Sequence, residues 1–338
     1  MNHSIHAPFK SLAYSVMKAI NLIVEIAFRL LRFMSLSVVS AAQSIGRQQQ
    51  VHRPIHSTPA PPLPAACSGE QFRIAKGPNT MTIIAIASTK GGVGKTTISA
   101  NLGMALVRAG RPVVLIDLDP QDALRLHFSA AQPDVQGLAR AACDGTDWRA
   151  SLVATASGCD LLPYGRVNEF GRESFEQLLR VQPQLLRDGI AGLRLPADAV
   201  VILDTPPGPS VYLSQALTTC NTAVIALLSD AASYATLPMM HGLLQRYCMG
   251  RPDFRDTAYL INQVDNARQL NADVAHVMRM QFGARALPLV HQDQAIPEAL
   301  ACHQFVGDYD PHCRATQDLA VMAQQLLGRL QSKLASTA

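Results

Sequence analysis

The ten residues Ser88-Thr89-Lys90-Gly91-Gly92-Val93-Gly94-Lys95-Thr96-Thr97 carry the chemistry of a phosphate cradle. Gly91, Gly92 and Gly94, with Val93 among them, let the backbone curl tightly and aim its N–H groups inward. Those donors, and the positive end of a helix that starts here, attract phosphate oxygens. Lys95 is spaced to reach β- and γ-phosphates, and the Thr96 hydroxyl to ligate Mg²⁺. Thr97 then falls beside the α-phosphate. The usual loop opens with glycine five positions before Gly94. Here that position is Thr89, and an extra lysine, Lys90, follows it. A ligand-free glycine turn would have no need of Lys-Thr-Thr after the glycines.

Two further segments end an apolar run on an acid. Val113-Val114-Leu115-Ile116-Asp117-Leu118-Asp119-Pro120-Gln121 delivers two carboxylates. Asp119 is placed to orient or activate an attacking water, and Asp117 to support Mg²⁺ or the loop. The competing reading is a surface turn begun by Asp and Pro. Val200-Val201-Ile202-Leu203-Asp204-Thr205-Pro206-Pro207-Gly208 is the second acidic strand end. Asp204 is the candidate second magnesium anchor, and Thr205 to Gly208 a loop that senses the γ-phosphate. Asn262, closing the run Ala258–Ile261, offers an amide to an adenine edge. It also suits a turn, with Asp265 and Asn266 nearby. Leu287-Pro288 offers a surface on which the base could pack.

Such a site must be held by strands and helices. Thr82 to Ala87 reads as a buried strand feeding the glycine loop, and Thr97 to Gly110 as the helix that leaves it. Further strand candidates are Pro112–Ile116, Cys159–Leu162, Ala199–Leu203, Thr222–Leu228, Ala258–Asn262 and Ala286–Leu289. Several are continuous apolar runs, the pattern of strands covered on both faces. Helical stretches lie between most of them. The expectation is an α/β fold with a doubly wound, mostly parallel sheet. The final helix places Leu319, Met322, Leu326, Leu330 and Leu334 on one side and reads as docked on the core.

The chain has 338 residues, 16% of them charged, and a net charge of +4, which by itself does not point to nucleic acid. Its seven cysteines are scattered, with no C-x-x-C pair, as in a reducing compartment. Cys302-His303 and His312-Cys313 stand in the wrong order for a zinc finger. Residues 1–45 read as an amphipathic helical extension. Lys18, Glu25, Arg29 and Arg32 share one thin stripe beside a wide apolar face. Peripheral membrane or partner contact, docking on the main domain or disorder, and a translation start at Met81 are the three readings of that segment. Residues 46–80, with Gln48 to Gln50 and four prolines from Pro59 to Pro64, read as a linker. Residues 81–338 are then the catalytic domain.

The run K-G-G-V-G-K-T-T resembles the deviant phosphate loop of the ParA/MinD-like ATPases, as D-x-D-P-Q resembles their first switch. That resemblance implies a P-loop fold, ATP and Mg²⁺ as ligands, slow hydrolysis and an ATP-dependent homodimer. Lys90 would cross the dimer seam to the partner's ATP. Closer still, Ala123–Phe128, Asp144-Gly145-Thr146-Asp147-Trp148-Arg149 and Asp160-Leu161-Leu162-Pro163-Tyr164-Gly165 resemble the BcsQ (YhjQ) proteins of bacterial cellulose operons. So does the stretch from Leu287-Pro288 through His291, Asp293, Ala299, Val306, Gly307 and Tyr309. The family implies a cytoplasmic ATPase that assists the inner-membrane cellulose synthase, at the membrane or a cell pole. A DNA-binding partition ATPase and a membrane-oscillating regulator share the general motifs and stand as rivals. Residues 1–80 lie outside the resemblance.

Overall fold

In a computed structural model, residues 81–128 and 136–335 are described, and the proposed extension 1–45 and linker 46–80 lie outside them. Seven strands form one sheet: β1 (Thr82–Ala87), β2 (Val113–Asp117), β3 (Val153–Ala154), β4 (Asp160–Leu162), β5 (Val200–Asp204), β6 (Thr222–Leu228) and β7 (Asp256–Asn262). Their order is β3-β4-β2-β5-β1-β6-β7. All pairings are parallel except β3–β4, an antiparallel hairpin at one edge. Parallel neighbours need crossovers, and helices supply them.

The first crossover helix is α1 (Lys95–Arg108), which follows the glycine loop directly. Its stop is a Schellman turn. The N–H of Gly110 donates to Val107 O and that of Arg111 to Leu106 O, and Gly110 takes φ 77°. Later helices are α2 (Leu138–Asp144), α3 (Glu169–Val181), α4 (Leu185–Gly192), α5 (Val211–Thr219), α6 (Ala231–Ala235), α7 (Leu237–Tyr247) and α8 (Gln269–Phe282). After them come α9 (Ala295–Ala301), α10 (Val306–Tyr309) and α11 (Arg314–Ala335).

Period-two alternation splits each strand between two cores. Ala85 and Ala87 of β1 enter one cluster, with Trp148, Tyr164 and Phe175; Ile84 and Ile86 enter the other, with Ile98, Leu102 and Leu106 of α1. The second core also receives Leu319, Met322, Leu326 and Leu330 of α11, all buried. The final helix is therefore docked, as its apolar stripe implied. Arg329 of the same helix pairs with the nearly buried Asp256 at 2.7 Å.

Two features depart from the sequence reading. Ala286–Leu289 is not a ladder strand: only isolated bridges join Tyr259 to Ala286 and Val264 to His291. Leu287 N donates to Tyr259 O, but the next bond, to Ile261 O, comes from Val290 N and not from Leu289 N, so an extra residue breaks the alternation of the ladder. The edge strand β3 has only two residues, too short for any periodicity to reveal. Trp148 proves to be a packing anchor. It is buried against α4, where a β-carbon on Gly189 would lie 2.1 Å from its ring. Among the described residues, no helix is long and apolar enough to cross a membrane.

Candidate nucleotide site

The loop Ser88–Gly94 leaves the carboxyl end of β1 at the middle of the sheet, where parallel α/β sheets bind ligands. Gly92 and Gly94 adopt φ 72° and 84°, a region closed to most side chains. Gly94 caps α1, and the first N–H groups of that helix face the loop's mouth. The loop is braced from three sides. Asn262 Nδ2 donates to Val93 O at 2.8 Å, and Gln263 Nε2 to Gly92 O at 3.3 Å. Gly208 N donates to Ser88 O, and Ser88 Oγ accepts from Lys90 N.

The two acidic strand ends meet beside the loop. β2 and β5 pair in register, Asp117 opposite Asp204, and both carboxylates are fully buried. Their roles differ. Asp117 Oδ1 accepts from Asp119 N at 2.9 Å and Oδ2 from Leu124 N at 3.0 Å, so both its oxygens hold the loop that carries Asp119. Burial and the neighbouring Asp204 hold its carboxyl well above the usual range. Asp204 Oδ1 accepts from Ser99 Oγ at 2.9 Å, while Oδ2 is buried with no hydrogen-bond partner. Burial pushes the Asp204 carboxyl up to about 6, against the pull of the Thr96 and Ser99 hydroxyls and the Lys95 ammonium.

A buried carboxylate oxygen left over beside a threonine hydroxyl is the donor set of a magnesium-nucleotide site. Thr96 and Asp204 therefore fit Mg²⁺. Asp117 fits loop support, one of its two expected roles. Lys95 is nearly buried, which lowers its pKa, while Asp204 and Asp119 act to raise it. Thus the structure brings Lys95, Thr96, Asp119 and Asp204 together. Asp119 Oδ1 accepts from Gln121 N, which fixes the start of the loop after β2. In the loop after β5, Thr205 Oγ1 donates to Ile86 O at 2.7 Å, tying it to β1.

Sequence reading missed three participants. Ser99 lies one helical turn beyond Lys95 on the face turned to β5, a position that α-helical spacing alone could have flagged. Gln263 was overshadowed by Asn262. Asp230, at the end of β6, forms an ion pair with Lys90 at 2.6 Å across 140 positions, which no local pattern encodes. Asn262 lies where it was expected, but its amide nitrogen is committed to the loop. Among the described residues no group of three or more His, Cys, Asp or Glu side chains is gathered as a metal site would need.

Comparison with known proteins places this geometry in context. The pyrococcal cell division ATPase MinD from Pyrococcus furiosus superposes with a TM-score of 0.60 at 21% identity, over 73% of this chain and 98% of that one. Cobyrinic acid a,c-diamide synthase from Mycobacterium smegmatis, solved with an ATP analogue and magnesium, gives 0.60 at 23% identity, covering 75% and 97%. Both share the fold. In sequence, the cellulose biosynthesis protein BcsQ of Escherichia coli K12 is 29% identical over 249 residues, 73% of this chain and 94% of its own length. The family model for cellulose biosynthesis protein BcsQ matches residues 81–327, so the chain belongs to the BcsQ family of P-loop proteins related to ParA and MinD.

Proposed function

We propose that this protein binds ATP with Mg²⁺ at Gly91–Thr97, hydrolyses it slowly, and pairs with a second copy while the γ-phosphate is present. In this way it supports assembly, placement or activity of the bacterial cellulose synthase complex. The observation that carries the reading is the convergence of Lys95, Thr96, Asp119 and the unpartnered Asp204 Oδ2 at the mouth of one glycine loop.

The loop N–H groups and Lys95 hold the β- and γ-phosphates. Mg²⁺ held by Thr96 and, through water, by Asp204 would neutralise charge between those phosphates. Asp119 orients the attacking water, and Asp117 fixes the backbone that carries Asp119. Asn262 keeps the loop closed and lies at the strand end beside the expected adenine position. Lys90 leaves Asp230 to reach the partner's nucleotide, which makes pairing depend on the γ-phosphate. The working place that follows is the cytoplasm, at the inner membrane or a cell pole, with synthase subunits as partners.

Calorimetry with ATP and magnesium tests the binding step; a chain that ignores adenine nucleotides ends the proposal. Deleting the gene and measuring cellulose output tests the biological role. Unchanged output would leave an ATPase with another client. Salt-sensitive retention on nonspecific duplex DNA would favour a partition role instead.

A further inference from the structure

We propose that Cys220 and Cys248 form a redox pair that a small disulfide, such as oxidised glutathione, closes into a reversible cross-link. Cys220 follows the last turn of α5, and Cys248 ends α7. The two helix ends meet at one guanidinium. Arg251 Nη1 donates to Leu217 O of α5 at 2.6 Å and to Tyr247 O of α7 at 3.2 Å, and Nη2 donates to Cys220 O at 2.6 Å. Carbonyls that end a helix lack intrahelical donors, and this one side chain supplies them to both helices. The thiols are brought together as a result. Both sulfurs turn to the same oxygen, Leu217 O, which lies 3.7 Å from Cys220 Sγ and 3.4 Å from Cys248 Sγ. The two thiols are also in hydrogen-bonding contact with each other.

Their surroundings give the two sulfurs different roles. The S–H of Cys220 lowers the Cys248 thiol below its ordinary value; burial opposes that, the Arg251 guanidinium adds to it, and Asp253 opposes it. Asp253 is shared between Arg251 and Arg187, so the cluster keeps an excess of positive charge. Burial, with the Cys248 sulfur beside it, pushes the Cys220 thiol well above its ordinary value. The thiolate is the attacking form, so Cys248 is the nucleophile and Cys220 the resolving thiol. Both residues are fully buried, but Cys248 adjoins the exposed turn at Met249 and Gly250, where Gly250 takes φ 85°. Fraying of the last turn of α7 brings its sulfur to solvent.

The exchange balances without a further reactant. The Cys248 thiolate attacks one sulfur of the oxidant, breaks its S–S bond and releases one small thiolate, which takes up a proton. Cys220 loses its proton, attacks the Cys248 sulfur of the mixed disulfide and displaces the second small thiolate. The protein pair gives up two electrons and two protons, and the small disulfide becomes two thiols. The new bond ties α5, which follows the Asp204 loop, to α7, which follows the helix capped by Asp230.

The test uses the full native chain, incubated with oxidised glutathione, alkylated, and mapped by mass spectrometry after proteolysis. A peptide pair joined through Cys220 and Cys248 is expected, and dithiothreitol should reverse it. The thermal midpoint should rise by several degrees on closure. Cys220→Ser removes the resolving thiol, so the mixed disulfide with glutathione should accumulate on Cys248. Cys248→Ser removes the nucleophile and should leave Cys220 unmodified. Cys143 and Cys302 are exposed and report that the oxidant is active. Glutathione on those two, with Cys220 and Cys248 unlinked in the parent protein, would overturn the pair, and that map stands even if a variant fails to fold. A link that forms only in denaturant, or Cys248 left free in Cys220→Ser, would overturn it as well. None of these results bears on the nucleotide reading.

Discussion

Lys90 Nζ lies 2.6 Å from Asp230 Oδ2, and both side chains are only about a third exposed, at 31% and 38%. Asp230 also caps α6, accepting from Ser233 N at 2.6 Å. The lysine expected to cross a dimer seam is therefore held at home by a carboxylate anchored to a helix. Asp230→Asn keeps the cap, since asparagine caps as well as aspartate, but removes the charge that retains Lys90. ATP-induced dimerisation should then occur at several-fold lower protein concentration, measured by light scattering. Lys90→Ala should bind ATP as a monomer and fail to dimerise. Unaltered dimerisation in both variants would rule out the cross-subunit role.

Lys95 is nearly buried between Asp204 and Asp119, so its ammonium serves the site and not the solvent. Lys95→Ala removes the cation that faces the phosphates. Calorimetry should find no measurable heat with Mg·ATP, while the thermal midpoint of the empty protein stays within a few degrees.

Asn262 can be separated into brace and reader. Asn262→Ala leaves Val93 O without its 2.8 Å donor, which should cost about 1–2 kcal/mol of stability and weaken every nucleotide together. If the side chain also reads adenine, the ratio of ATP to GTP affinity will fall as well. Equal losses for both nucleotides would assign it to the loop alone.

The single tryptophan gives a direct optical probe of α4. A β-carbon at residue 189 would lie 2.1 Å from Trp148 Cζ3. Gly189→Ala should destabilise the fold by roughly 1–3 kcal/mol and shift the Trp148 emission to the red. Gly192→Ala, at a position with nothing within 4 Å, should do neither.

His127 sets an acid limb. Burial pushes its folded-state pKa down to about 4 from the ordinary 6.5, so the unfolded chain binds more protons between those values. Stability is therefore complete above pH 6.5 and falls as pH drops through that window. His303 and Asp308, the latter paired with Arg108 at 2.6 Å, line one recess with His127. Chemical denaturation at pH 7.5 and 5 should differ by about 2 kcal/mol more in the parent protein than in His127→Phe.

The phosphate loop, α1 and the two acidic strand ends were legible because each is a local pattern. A glycine run, an apolar strand closing on Asp, and a Gly before Pro each stand within ten residues. Asp230 was invisible because its partner Lys90 is 140 positions away. The split between Asp117, which holds backbone, and Asp204, which keeps an oxygen unpartnered, was equally hidden. Both end apolar strands, and only the packing of Ser99 and the path of residues 118–124 tells them apart. Ala286–Leu289 misled because its apolar composition suits a strand, while the slip between Leu287 and Val290 leaves only isolated bridges. Tyr164 sits in a family-resembling segment, yet its hydroxyl partner, Tyr212 at 2.9 Å, lies on α5 and could not be read locally.

The facing carboxylates of β2 and β5 are buried with Lys95 as the cation that acts on Asp204, so the empty molecule leaves part of their burial cost unanswered. Divalent cargo relieves that tension, so occupancy and sturdiness rise together. In a living cell the vacant population would open more often and meet quality-control proteases first. Energy supply would thereby set how many copies survive as well as how many are switched on.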